Sequence, residues 1–320
     1  MSWRLLFDAL APAAGKGRLS VLIFHRVRQQ TDPLFPGEID ADRFEMQMRW
    51  VSRWFNVLAL PDAVERLRSG TLPARAAAMS FDDGYADNCT VALPILRRLG
   101  LSCTFFVATG FLDGGRMWND TVIEAVRGAS GTTLNLDALG LDRHDIGSVA
   151  ARRRTIDTLL ERLKYLDTLE RESMAADIAK LSRTEMPNDL MLSSGQVRTL
   201  CNAGMTIGAH TVNHPILCSI SDEAARKEML ASKSRLEEII GKPVGLFAYP
   251  NGKPGKDYSR THVSIAREAG FSAAFSTSAG VATRHSDLFQ LPRFTPWDRS
   301  AWRYAMRMAA NLRSTEPVIA

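Results

Sequence analysis

Eight short apolar runs constrain the fold of this chain more than any other feature of its sequence. They occupy residues 20–27 (SVLIFHRV), 55–60 (FNVLAL), 76–81 (AAAMSF), 102–109 (SCTFFVAT), 204–210 (GMTIGAH), 244–250 (VGLFAYP), 272–278 (SAAFSTS) and 288–294 (LFQLPRF). Each is too short for a core helix and lacks the apolar–polar alternation of a strand with one wet face. Strands covered by helices on both faces have this composition, so the runs predict a parallel sheet. Amphipathic stretches separate them: one from Asp42, one from Ala86 and one ending at Gly204. The clearest starts at Ser221, which offers a capping hydroxyl, acids in the first turn and Gly241 just past the end. Strand and helix alternate over most of the chain, which specifies an α/β fold built from βα units.

The rhythm breaks once. Residues from about 116 to 190 are strongly charged, helical in pattern and hold no strand-like run, and the βα pattern resumes directly after them. They are expected to form a helical insertion within one domain. The expected organisation is an N-terminal segment over residues 1–18, a single domain over 19–300 and a C-terminal helix or tail over 301–320.

Charge excludes more than it assigns. With 40 Lys and Arg against 35 Asp and Glu, the net charge is +5, and the basic residues form no tail or stripe. That distribution argues against a nucleic-acid partner and is compatible with anionic surfaces such as lipid headgroups or acidic sugars. The four cysteines, Cys89, Cys103, Cys201 and Cys218, form no C-x-x-C pair, which predicts buried, reduced thiols. No stretch reaches the roughly 18 to 20 apolar residues of a membrane span. The opening MSWRLLFDALAPAAGKG has too short an apolar core for a signal peptide. Two readings stand for it: a terminal helix packed on the domain, or an amphipathic contact with the inner face of a membrane. The expected location is cytoplasmic, peripheral to the inner membrane under the second reading.

Three polar clusters fall at the ends of apolar runs, where active sites of α/β folds gather. Asp82 and Asp83 follow AAAMSF and precede Gly84, which permits a tight turn. His210 and His214 follow MTIG at a spacing of i and i+4, which puts both imidazoles on one face of a helical turn. Tyr249, Pro250, Asn251 and Gly252 close the run that begins VGLF. Each cluster alone reads as a turn or a solvated pair. Together they describe a site with two histidines and one carboxylate on a metal, and a second acid left free for proton transfer.

The segments SFDDG, HTVNH and FAYPNG resemble the first three motifs of the polysaccharide deacetylases, the NodB-homology domains of carbohydrate esterase family 4. The resemblance runs from SVLIFHRV to LPRF, with the insertion as its main departure. It implies a distorted (β/α) barrel of about seven to eight strands, and an activity that removes N-acetyl groups from carbohydrates. By position, it implies that Asp82 is the general base and that Asp83, His210 and His214 hold a divalent metal, commonly zinc. The family's third motif carries an arginine that FAYPNG lacks. Arg293, in QLPRF, is the expected substitute that orients Asp82, with a structural salt bridge as the alternative. The backbone N–H near Tyr249 is the expected oxyanion donor.

The family's Leu-x-His motif, which supplies the general acid, is missing, and LPRFTPWD stands in its place. His25, in FHRV, is the candidate donor, with a structural hydrogen-bonded role as the alternative; His285 lies in a polar loop. Asn251 and Trp118 are expected to contact the substrate, Trp118 by stacking on a sugar ring, and the insertion is expected to stand beside the site as a lid or wall. The expected substrate is an N-acetylated oligo- or polysaccharide or a lipid-linked glycan in exopolysaccharide or cell-envelope synthesis. Two other readings remain: an amidase that uses the same metal site on a non-sugar amide, and a glycan-binding pseudoenzyme.

Overall fold

In the computed structural model, which describes residues 3–315 and 317–320, most of the apolar runs become strands of one parallel sheet. Met1, Ser2 and Glu316, in the N-terminal segment and C-terminal tail, lie outside the described residues. In chain order, α1 (Trp3–Leu10) precedes β1 (Leu19–Phe24), α2 (Ala41–Trp54), β2 (Asn56–Val57), α3 (Leu60–Ser69), β3 (Ala76–Phe81), α4 (Leu93–Arg98) and β4 (Thr104–Val107). The interruption holds α5 (Trp118–Gly128), β5 (Thr133–Asn135), β6 (Arg143–Asp145), α6 (Val149–Leu163) and α7 (Thr168–Ser182). The chain then continues through α8 (Ser194–Asn202), β7 (Thr206–Ala209), α9 (Asp222–Ile240), β8 (Leu246–Ala248), α10 (Arg260–Glu268), β9 (Ala273–Phe275) and α11 (Ala301–Arg313).

The strands run in the order β1-β3-β4-β7-β8-β9, with β2 paired to the first residues of β3. Every residue of β1 and β3 is buried, because helices cover the sheet and leave neither face to water. The alanines that open β3 leave room for α3, and Gly208 in β7 leaves room for Phe106, whose ring atoms would lie 2.4 Å from a Cβ at that position.

The run at 288–294, expected as the last strand, is instead a closing segment. Leu291 bridges to Phe275 of β9 and Phe294 bridges to Leu22 of β1, which carries the sheet round into a distorted barrel. Pro292 between them has no N–H for a ladder, and the Arg293 N–H donates to Ser278 outside it. The run at 55–60 also yields little strand, because Leu60 already begins α3.

Two further expectations are corrected. The helix expected from Ala86 begins as a π-turn over Asn88–Ala92 and becomes α-helical at Leu93, since Pro94 cannot donate to the carbonyl four residues earlier. The interruption is not wholly helical. Its β5–β6 antiparallel hairpin pairs Leu134 with His144 and joins an apolar cluster with Val126, Ile156, Leu159 and Ile178. Strands of three residues with polar, outward-facing neighbours carry no usable periodicity.

α9 is framed as its sequence specifies: Ser221 accepts from the Ala224 N–H, and Gly241 caps the end at φ +66°. α1 packs against α11 and α2, with Phe7 fully buried. The four cysteines are unpaired, but the expectation that all are buried fails: only Cys103 is, and Cys218 is exposed on a turn.

Candidate metal centre and proton acceptor

β3 ends at Phe81, and the next three residues turn sharply across the sheet edge. The Asp82 N–H donates to Phe24 of β1, and the Asp83 carbonyl accepts from Ala108 beyond β4. Asp83 sits at φ +74° and Gly84 at φ +87°; a side chain on Gly84 would meet Val107 at 2.9 Å. This turn sends the adjacent carboxylates to different partners.

Asp82 faces inward. Arg293, from the closing segment, donates to both of its oxygens at 2.6 and 2.7 Å, while its Nε–H donates to the Ser276 carbonyl at 3.0 Å. The two side chains are almost wholly buried, at 1% and 2% exposure. Burial pushes the Asp82 carboxyl up, but the Arg293 charge, the neighbouring His210 and the paired hydrogen bonds outweigh it and hold Asp82 below the usual carboxylate range. Asp82 is therefore ionised at neutral pH and held in one orientation.

Asp83 faces the histidines. Its Oδ1 lies 3.5 Å from His210 Nε2 and 3.4 Å from His214 Nε2. His210 donates Nδ1–H to the Ala248 carbonyl at the end of β8, at 2.7 Å, which turns Nε2 toward Asp83. Burial opposes charge on His210, yet Asp82 and Asp83 raise its pKa above the ordinary value. Burial and the His210 charge push His214 down to about 4, leaving it neutral at pH 7. Asp83 itself is held well below the usual range, because the histidine contacts outweigh its burial.

The histidines do not share a helical turn, as their spacing suggests. Residues 210–216 form an irregular loop with Thr211 at φ +66° and His214 at φ +51°. Two contacts hold it. Thr211 Oγ1 accepts from the His214 N–H, and Glu228 on α9 accepts from the N–H groups of Val212 and Asn213 and from the Asn213 amide, each at 2.8 Å. The imidazoles converge because this loop is bent and clamped. Asn251 is likewise left-handed, at φ +58°, so four residues around the site hold a conformation that costs free energy and persists only when its surroundings enforce it.

The donor set fits a divalent cation. Two imidazole nitrogens and one carboxylate oxygen lie within 4.8 Å of one another. Zinc bonds of about 2.1 Å in a tetrahedral arrangement separate two ligand atoms by about 3.4 Å, close to the His–Asp separations here.

A cavity of about 520 Å³ opens onto Asp83 and His214 and is also lined by Met117, Trp118, Tyr165 and Asn251. Trp118 begins α5, and the Arg171 guanidinium of α7 lies 5.0 Å over its ring, so the interrupting helices do form a wall of this cavity. His25 is exposed just beyond β1, one residue after Phe24, whose carbonyl accepts from the Asp82 N–H. His285 lies on the surface, bonded to Arg284.

Tyr249 does not occupy the site as expected. Its N–H donates to Phe275 within the sheet, its ring stacks on Tyr258 at 3.9 Å, and its hydroxyl donates to the Phe289 carbonyl. A residue at the end of a buried strand spends its N–H on the neighbouring strand. The next open donor is the N–H of Asn251, which has no acceptor among the described residues.

Sequence reasoning missed Glu228, whose place on an ordinary amphipathic helix gives no signal. It also missed Tyr85 and Asp120, which are buried together behind the site. The Tyr85 hydroxyl donates to Asp120 at 3.1 Å beneath the Arg26 guanidinium, and burial pushes the Asp120 carboxyl up to about 6.

The family model described as polysaccharide deacetylase matches residues 69–180 and 163–274, more than half of the chain. His25 and Arg293 lie outside those stretches. YxkH of Bacillus subtilis (strain 168), whose name places it among the polysaccharide deacetylases, is 19% identical over 278 residues, 86% of this chain and 70% of YxkH. Two solved structures share the fold. The Streptococcus pyogenes deacetylase PplD in complex with acetate superposes with a TM-score of 0.61 at 20% identity, over 94% of this chain and 99% of PplD. IcaB from Ammonifex degensii gives 0.59 at 18% identity, over 92% and 98% of the two chains.

Proposed function

The chain belongs to the polysaccharide deacetylase family, hydrolases of N-acetyl amide bonds on carbohydrates, and on that premise we propose that it deacetylates amino-sugar residues of an oligosaccharide or lipid-linked glycan by metal-assisted hydrolysis. The observation that carries this reading is the division of labour between adjacent acids: Asp82 is locked to Arg293, and Asp83 converges with His210 and His214.

Asp83, His210 and His214 would hold a divalent cation, for which this nitrogen-rich set favours Zn²⁺, and when bound it would supply Lewis-acid polarisation of the amide carbonyl and of a water. Asp82 accepts the proton of the attacking water. Arg293 occupies one lone pair on each oxygen and leaves others for that proton. The Asn251 N–H donates to the developing oxyanion. As the C–N bond breaks, His25 donates a proton to the leaving nitrogen, so that the amine and acetate depart; solvent then reprotonates His25 and takes the proton from Asp82. Trp118 packs against the sugar in the cavity that opens onto Asp83 and His214.

The test is acetate release by zinc-loaded protein on a panel of N-acetylated and O-acetylated glycans and simple N-acyl amides, with bound metal measured in the same sample. Release confined to N-acetylated glycans supports the reading. Release from simple amides alone moves the activity to a non-sugar substrate, and stoichiometric zinc without release from any compound overturns hydrolysis.

We further propose that the protein acts at the cytoplasmic face of the inner membrane. Leu5 on α1 and Trp302 and Met306 on α11 are exposed apolar side chains on two packed helices that also present Arg4 and Arg303. Among the described residues, no helix is long and apolar enough to cross a membrane. Sedimentation with anionic but not zwitterionic vesicles, lost in Trp302→Ser, is the expected result.

A further inference from the structure

Residues 295–297, Thr-Pro-Trp, have no part in the metal centre, yet they line a second cavity of about 260 Å³ with Phe24, His25, Ile39, Arg43 and Gln47. The cavity opens beyond the end of β1, and Phe24 in its lining accepts from the Asp82 N–H at 3.0 Å, which sets the cavity beside the catalytic turn.

Its chemistry is that of a carbohydrate subsite. Trp297 is 71% exposed, a large aromatic face left to water at the rim. Gln47 of α2 is 1% exposed; its amide N–H donates to the Asp298 carbonyl at 3.1 Å, and its Oε1 has no donor. Buried carbonyls without a partner are rare and point to a ligand or a water. Arg43 spends one N–H on the Glu38 carbonyl and has no carboxylate partner among the described residues. A pyranose ring has an apolar C–H face and a rim of hydroxyl and acetamido groups. An exposed indole beside a few polar groups in an otherwise apolar cavity complements both.

We propose that this cavity binds a second sugar ring of the glycan whose N-acetyl group is removed at Asp83, His210 and His214, with Trp297 stacking on the ring and Arg43 and Gln47 taking its polar substituents. The inference rests on the deacetylase reading. It adds that the enzyme holds the chain at two places, Trp118 and Trp297, and so works better on longer glycans.

Two measurements test this on the full zinc-loaded chain. In the first, kcat/KM for acetate release is compared on N,N′-diacetylchitobiose and penta-N-acetylchitopentaose. Trp297→Ala is expected to lower the pentasaccharide value about ten-fold more than the disaccharide value, mainly through KM, and Trp297→Phe to restore most of it. Equal losses on both lengths, or none, overturn the subsite while leaving deacetylation standing.

In the second, penta-N-acetylchitopentaose binding is followed by calorimetry in an Asp82→Asn background. Trp297→Ala is expected to weaken binding about ten-fold, and unchanged affinity, or no binding before the Trp297 change, overturns the subsite. If wild-type protein releases no acetate from either sugar, the deacetylase reading fails and the calorimetry still decides whether Trp297 holds a sugar.

Discussion

Arg293 donates to both oxygens of Asp82 although 211 residues separate them, and neither side chain has water to fall back on. A buried carboxylate paired in this way is stable only while its cation remains. Arg293→Met should therefore cost about 3 to 5 kcal/mol of folding stability by urea denaturation at pH 7. Adding Asp82→Asn to that variant should recover part of the loss, since it removes the stranded charge. A double variant no more stable than Arg293→Met would mean that the pair is not the source of the effect.

Asp82 and His210 should separate cleanly by function. Asp82→Asn keeps Asp83 and both imidazoles in place, so it is expected to retain near-stoichiometric zinc while losing at least about 100-fold in kcat, the usual contribution of a positioned base. His210→Ala is expected to lose zinc and activity together. Zinc content and acetate release on the same preparations check both, and near-normal turnover by Asp82→Asn would falsify the proton-acceptor role.

Glu228 touches no ligand atom, yet it holds the loop that brings His210 and His214 together. Glu228→Ala should weaken zinc binding about 10- to 100-fold, as loss of an outer partner of a metal site does. Glu228→Gln should lose less, because its amide oxygen still accepts. Competition with a chromophoric chelator gives the affinities. Unchanged affinity in Glu228→Ala would show that Thr211 and the strand ends suffice to shape the loop.

Asp120 predicts a pH dependence of stability. Its carboxyl ionises near 3.8 when unfolded and near 6 in the fold, because burial disfavours the charge. The folded state thus binds the proton more tightly. The stability this contributes is fully present below about pH 3.8 and is lost as the pH rises through about 6, a difference on the order of 3 kcal/mol. In metal-free protein, Asp120→Asn, which still accepts from Tyr85, should be more stable than wild type at pH 8. The advantage should shrink to nothing toward pH 4. An advantage of constant size across that range would assign the effect to packing instead of ionisation.

Much of this architecture is written locally. The apolar runs announced β1, β3, β4, β7, β8 and β9 because a strand buried on both faces needs no knowledge of its neighbours to be recognised. Ser221 and Gly241 bounded α9 because capping is a property of a few adjacent residues. The run at 288–294 misled because Pro292 spoils a ladder that only the neighbouring strands define, and β5 and β6 stayed hidden because short, half-wet strands have no distinctive pattern.

The site divides along the same line. The residue types at 82, 83, 210 and 214 are enough to name a donor set and a spare acid, since carboxylate and imidazole chemistry belongs to the side chains themselves. Which acid meets which partner belongs to the folded chain: Arg293 reaches Asp82 only because the closing segment lies between β9 and β1, and the histidines converge through a clamped loop, not a helix. Tyr249 shows the limit most plainly. Its place at a strand end is visible in one dimension, but whether its N–H is free depends on the strand beside it, and there Phe275 has already taken it.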